Sequence, residues 1–189
     1  MINLFPKVTK SIKQNLIKHH ELYKKIRCKA ENLEEIIVIS LRENNFNVMW
    51  DPASHDKEKD IIVNNSNSIQ IKSGTLQKKN NAITISGHRL GRFDGNLKKI
   101  TEYLNNPSSD VVSIYNPEVK SDKHFYTIAS IPKYIFEGLK PDEWTKSRSS
   151  YSQTNAKGVK FSLRTTMSWQ IWWDIPISLI KIEEQIEIN

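Results

Sequence analysis

Apolar residues recur at helical spacing twice before residue 45. Ile12, Leu16, Leu22 and Ile26 predict an amphipathic helix within residues 1–29, and Leu33, Ile37, Ser40 and Leu41 a second over 30–44. The period then shortens to that of strands. Residues 46–50 form a β-prone run ahead of the Asp51-Pro52 turn, and Ile61-Ile62-Val63 forms another. An Asn/Ser cluster at 64–68 separates the latter from Ile69-Gln70-Ile71-Lys72, so the pair predicts a hairpin. A strand is expected over 82–85, then a helix over 94–104 with Asp94 as its N-cap and Leu97, Ile100, Tyr103 and Leu104 facing inward. Strands at 110–115 and 124–129 follow, and Ser130 predicts the cap of a short helix reaching Phe136. Residues 145–160 read as a long polar connection, 159–164 as a strand, 165–176 as a tryptophan-rich strand, and 177–189 as an Ile-rich end. Strands interleaved with helices predict an α/β sheet in one domain over 1–189.

The hairpin concentrates the chemistry. Alternation along 69–72 puts Gln70 and Lys72 on one face and Ile69 and Ile71 on the other. Asp60 opens the neighbouring run, where its carboxylate can face the same side. A hard divalent cation takes oxygen ligands from one or two protein groups, phosphate and water. Asp60 is therefore the expected metal carboxylate and Gln70 a second, neutral oxygen ligand. The Ile71 carbonyl supplies a third, and Lys72 is the catalytic lysine at a scissile phosphate. The bland account of the same polar pair is plain solvent exposure.

Composition narrows the partner. The chain has 189 residues, and its formal charge of +7 favours a polyanion, nucleic acid first and an anionic membrane surface second. One cysteine, Cys28, excludes an internal disulfide framework and a cysteine-ligated zinc site, and reads as a packing residue. No apolar run reaches membrane-spanning length and no signal-peptide core opens the chain, so a cytoplasmic location is expected.

Asp60, nine intervening residues, and then Gln70-Ile71-Lys72 closed by Ser73-Gly74 resemble the PD-(D/E)XK nuclease superfamily, and within it the type II restriction endonucleases. Two positions depart from that motif: Lys59 stands where proline is usual, and Gln70 replaces the second acid. The resemblance implies a central mixed β-sheet flanked by helices and a Mg²⁺-dependent nuclease in which Mn²⁺ substitutes. It divides the chain into N-terminal helices (1–45), a catalytic core (46–136) and a DNA-recognition, sheet-extending part (137–189). It also implies a glutamate on the helix before the core sheet, for which Glu34 or Glu35 is placed, though acids near a helix N-terminus explain both equally well.

Basic and polar residues beyond the motif are the expected DNA contacts. Residues 86–96 hold three glycines that free the backbone to approach a ligand, with Ser86 and the cations His88, Arg89 and Arg92. Lys78, Asn155, Lys157 and Arg164 extend the set, and Ser168 and Gln170 are placed to read base edges. An ordinary basic loop, and a tryptophan-rich strand that is simply core or dimer interface, fit the same residues. Three functions follow: a restriction endonuclease acting as a homodimer on double-stranded DNA beside a cognate methyltransferase; a structure-selective or repair nuclease of the same superfamily; or a DNA-binding protein without catalysis.

Overall fold

The computed structural model describes residues 5–23, 28, 30–51, 60–116 and 124–188. Three α-helices and eleven strands occur among them: α1 (Phe5–Leu22), α2 (Ala30–Glu43), β1 (Val48–Met49), β2 (Ile61–Val63), β3 (Asn67–Gln77), β4 (Ala82–Arg89), α3 (Leu97–Leu104), β5 (Asp110–Asn116), β6 (His124–Ile131), β7 (Thr145–Ser147), β8 (Ser150–Thr154), β9 (Lys160–Arg164), β10 (Gln170–Pro176) and β11 (Lys181–Ile188). All strands join one mixed sheet in the order β11-β6-β5-β3-β4-β10-β9-β8-β7, with β2 paired to β3 and β1 to β2. β3 and β5 run parallel, with α3 in the connection between them; the other pairings are antiparallel. The chain is thus α/β, a large mixed sheet flanked by three helices.

Two apolar clusters sit on opposite faces. On one, α1 and α2 bury Ile12, Leu16, Leu33, Ile37 and Leu41 against Ile69, Ile71, Val112 and Ile128. On the other, Ile100 and Leu104 of α3 join Ile85, Phe136, Phe161, Ile171 and Trp173. The hairpin forms because Asn64 and Asn65 take the left-handed conformation (φ 51° and 59°) that asparagine tolerates better than most residues.

Several expected boundaries move. The helix over 94–104 begins three residues late: Asp94 is itself left-handed (φ 46°), and Asn96 caps α3 by accepting from the Lys99 N–H at 3.1 Å. Ser130 caps nothing, being buried inside β6, and a 3₁₀ turn over Lys133–Phe136 replaces the short helix. Residues 145–154 are a hairpin, β7 with β8, where a connection was expected. The tryptophan-rich strand starts only at Gln170, because Ser168 and Trp169 are both left-handed (φ 53° and 57°).

Candidate active site and nucleic-acid interface

β3 changes partner along one edge. β2 pairs with it up to Ile69, opposite Ile61, and β4 takes over only at Gly74, opposite Ile85. Between them, Gln70 to Ser73 have no strand on that edge among the described residues, while β5 continues along the other. Asp60, one residue before β2, fills part of this notch. Its Oδ2 accepts the Ile71 N–H at 2.7 Å and the Lys72 ammonium at 3.1 Å. A side-chain oxygen thus stands in for the missing backbone acceptor, so the acid is fixed by strand geometry as well as by charge. Because the N–H and C=O of a strand residue point to the same edge, the Ile71 carbonyl opens into the notch too. The Asp60 and Lys72 side chains remain about a fifth exposed, enough to meet a ligand.

Gln70 is buried, on the same face of β3 as Lys72, and its Nε2 lies 3.3 Å from Nε2 of His88. His88 gets there through a β-bulge. Gln170 of β10 lies opposite Arg89 and Trp172 opposite Ser86, so Gly87 and His88 together oppose Ile171. The extra residue turns His88 toward α3, between the edges of Tyr103 and Trp173 (ring centroids 6.0 and 6.1 Å away). Burial, then Lys72, pushes its pKa down to about 4, against a smaller opposing effect of Asp60. His88 is therefore a neutral interior imidazole at neutral pH, which corrects its reading as a loop cation. Gln70 and His88 border a cavity of about 40 Å³ whose walls include Tyr103, Phe136, Ser109 and Trp173.

Two of the three glycines, Gly87 and Gly95, are required by close packing. A Cβ on Gly87 would sit 2.6 Å from Ile171, and one on Gly95 2.5 Å from the Trp169 ring. Ser86 to Arg89 belong to β4, so the expected basic loop shrinks to the turn after it.

Arg89, Gln170, Arg164 and Ser150 lie side by side across β4, β10, β9 and β8. They occupy the face opposite the α3 cluster, at the level of the sheet where β3 carries the notch. Four strand spacings of about 4.8 Å put the far end of this row roughly 19 Å from β3. A second row, Ser86, Trp172, Ser162 and Ser152, lies beside it. The Arg164 guanidinium sits 4.4 Å from the centroid of the Trp172 ring, which holds it over the face. Ser168 is exposed in the turn leading into β10, near this row. Arg92 follows β4 and stacks on Tyr103 (4.5 Å) and Phe93 (4.9 Å). Arg148, at the exposed tip of the β7–β8 hairpin, adds a cation that sequence reasoning missed. The alternating Ser-Tyr-Ser-Gln-Thr of β8 was the signal for that hairpin.

Three expected DNA contacts lie elsewhere. Asn155 is buried, its amide nitrogen donating to the Ile135 and Glu137 carbonyls and its oxygen accepting from the Lys157 and Val159 N–H groups. All its polar capacity holds a turn, so base reading is ruled out by satisfaction. Lys157 donates to the Tyr134 carbonyl and overlies that residue's ring, at the far end of β8 and β9. Lys78 follows β3, five residues past Lys72 to the strand's end at Gln77, or about 17 Å along it. Both lysines therefore sit away from the notch.

Glu34 is half-buried and Glu35 exposed on α2. No trio of His, Cys, Asp or Glu suited to a metal occurs among the described residues. The expected donor set holds a single carboxylate and depends on amide and backbone oxygens. Of that set, Asp60 and the Ile71 carbonyl share one space: both bonds to Asp60 fall on Oδ2, leaving Oδ1, while the Gln70 side chain lines the cavity beside His88. His55, Asp56 and Glu58, just before Asp60 in the chain and further possible phosphate or metal contacts, lie outside the described residues. Cys28 packs in the helix-pair cluster, where burial pushes its thiol up to about 12. No helix among the described residues is long and apolar enough to cross a membrane. No known family, curated protein or solved structure matches the chain.

Proposed function

We propose that this chain is a Mg²⁺-dependent endonuclease of double-stranded DNA, acting site-specifically as a type II restriction enzyme of the PD-(D/E)XK kind. One observation carries the reading: Asp60, the Ile71 backbone and Lys72 meet in a notch left open between two antiparallel partners of β3. Asp60 and the Ile71 carbonyl, with the Gln70 amide oxygen, would hold the cation. When bound, Mg²⁺ supplies Lewis acidity, offsetting charge that grows on the phosphate and acidifying water.

The chain's own groups do the rest. Lys72 orients the attacking water and stabilises negative charge at phosphorus as the P–O bond to the leaving sugar oxygen breaks. Asp60 fixes the ammonium at 3.1 Å, so it is aimed before substrate arrives. Arg89, Arg164, Arg92 and Arg148 neutralise phosphates, and Gln170 between two arginines offers donors and an acceptor to base edges. A homodimer would set one notch on each strand of a palindromic site, and a methyltransferase would protect the host's copies.

The competing reading is a non-catalytic DNA-binding protein in which Asp60 merely caps the strand, favoured by the two bonds its Oδ2 already accepts. Plasmid digestion with Mg²⁺ decides. Discrete fragments are expected; cleavage of branched or mismatched DNA alone would indicate a structure-selective nuclease. Salt-sensitive binding with no cleavage would leave only the capping role.

A further inference from the structure

The open face of β4, β10, β9 and β8 is too broad for a groove. From β4 to β8 the backbones alone span roughly 14 Å. The major groove of a duplex is about 12 Å wide and admits a helix or a two-stranded ribbon. The middle rows of this face cannot enter it to reach paired base edges. Unpaired bases pose no such barrier, because they can be splayed out, stacked on aromatic or guanidinium planes and bonded along their edges.

We infer that this face binds DNA through unpaired bases, with the stack of Arg164 on Trp172 as the platform on which a base is laid. The inference deepens the DNA reading above and rests on it for the partner alone; it needs nothing from the notch. Trp172 is central, with Arg89, Gln170 and Arg164 on one side of its row and Thr84, Asp174 and Lys160 on the other. The Arg164 guanidinium lies 4.4 Å from the ring centroid and the residue is exposed, which leaves the outward side of that plane to a base. The indole Nε1–H is buried with no acceptor among the described residues, an orphan donor in the middle of the face. Charge suits a phosphate chain. Arg89, Arg164 and Lys160 are exposed and form no ion pair among the described residues, while Asp174, the carboxylate in these rows, accepts from the Thr84 hydroxyl at 2.5 Å. The side chains of Ser86, Ser152, Ser162 and Gln170 make no hydrogen bond to other described residues, so short donors and acceptors surround the ring. A duplex bound here would be opened locally, at least cost where it is mismatched.

The test reads binding in EDTA, with cleavage as a separate measurement. Fluorescence anisotropy compares a labelled single strand of about 12 nucleotides, its blunt duplex, and that duplex with a short central mismatch bubble. The single strand and the bubble should bind about 10-fold more tightly than the paired duplex. Trp172→Ala should weaken single-strand binding by roughly 10- to 100-fold, with circular dichroism confirming that it folds. Trp172→Phe, which keeps a ring, should recover most of that loss. Lys72→Ala, altered only in the notch, should bind the single strand as the wild type does. Paired duplex bound as tightly as the single strand, or Trp172→Ala weakening both alike, overturns the unpaired-base role and leaves the nuclease reading standing. A single-strand preference with no cleavage of any DNA in Mg²⁺ does the reverse. A wild type that binds neither form overturns both.

Discussion

The two halves of the sheet use the same strand pattern to opposite ends. From β11 to β3, the faces are covered by α1 and α2 on one side and the α3 cluster on the other, so strands such as β6 are buried almost throughout. From β4 to β7 only the α3 side is covered. There Phe161, Leu163, Ile171, Trp173 and Ile175 point inward, while on the other face Lys160 and Arg164 are exposed and Gln170 and Trp172 half-buried. The covered half sets Asp60 against Lys72 and the Ile71 N–H, and the open half offers a broad polar surface; under the proposed nuclease function the first would break the bond and the second read the duplex. The notch is where the two meet.

The largest effect expected from this division is catalytic. Lys72→Ala, or Asp60→Asn, which keeps an acceptor for the Ile71 N–H but removes the charge, should lower cleavage on the order of 10³-fold while leaving DNA binding nearly intact. Wild-type rates in gel-based cleavage would contradict the notch assignment. Next come the neighbouring tryptophans on opposite faces. Trp173→Ala should cost about 3–5 kcal/mol in denaturant unfolding, whereas Trp172→Ala should cost about 1 kcal/mol through its loss of the Arg164 stack. Similar losses at both would erase the distinction between covered and open faces. Arg89→Ala and Arg164→Ala should each weaken binding across all DNA sequences and lower the salt slope by about 1. An unchanged slope in either would take that residue off the duplex.

The smallest effect concerns the covered half and pH. His20 on α1 stacks on His124 (3.9 Å) and contacts the Tyr126 hydroxyl at 2.7 Å. Burial first, then the charges of His124 and His19, pushes its pKa down to about 4. The unfolded chain, with an ordinary histidine pKa near 6.5, takes up that proton earlier. Stability from His20 is therefore full above about pH 6.5 and is lost as pH falls towards 4. Chemical denaturation across this range should show the decline, and His20→Gln should flatten it.

The hairpin and its side-chain alternation were legible in the sequence because both are local. Two short β-prone runs around an Asn/Ser turn leave few registers, and in the structure Asp60 and Lys72 come together as that reading required. The helices at 5–22 and 30–43 were legible for the same reason. What failed depended on partners far along the chain. Nothing near Gly87 announces a bulge, since only its pairing with Ile171 creates one. Asn155 read as a free amide because the carbonyls that claim it belong to Ile135 and Glu137, 20 and 18 residues earlier. The late start of the tryptophan-rich strand was not legible because two consecutive left-handed residues, Ser168 and Trp169, precede it, a conformation that Ser and Trp do not advertise.

Because the gap in β3 is bounded only by where its neighbours stop, its width is a matter of chain length on either side. One more residue pair zipped between β2 and β3 would close over Gln70, and one more between β3 and β4 would begin to shut it from above. A one-residue insertion among Asn64, Asn65 and Ser66 would likewise slide Asp60 out of reach of the Ile71 amide without altering any side chain in the cleft. Spacing in the tip of a hairpin thus acts as the gauge that keeps this aperture open, and variants selected for tighter sheets would be the first to seal it.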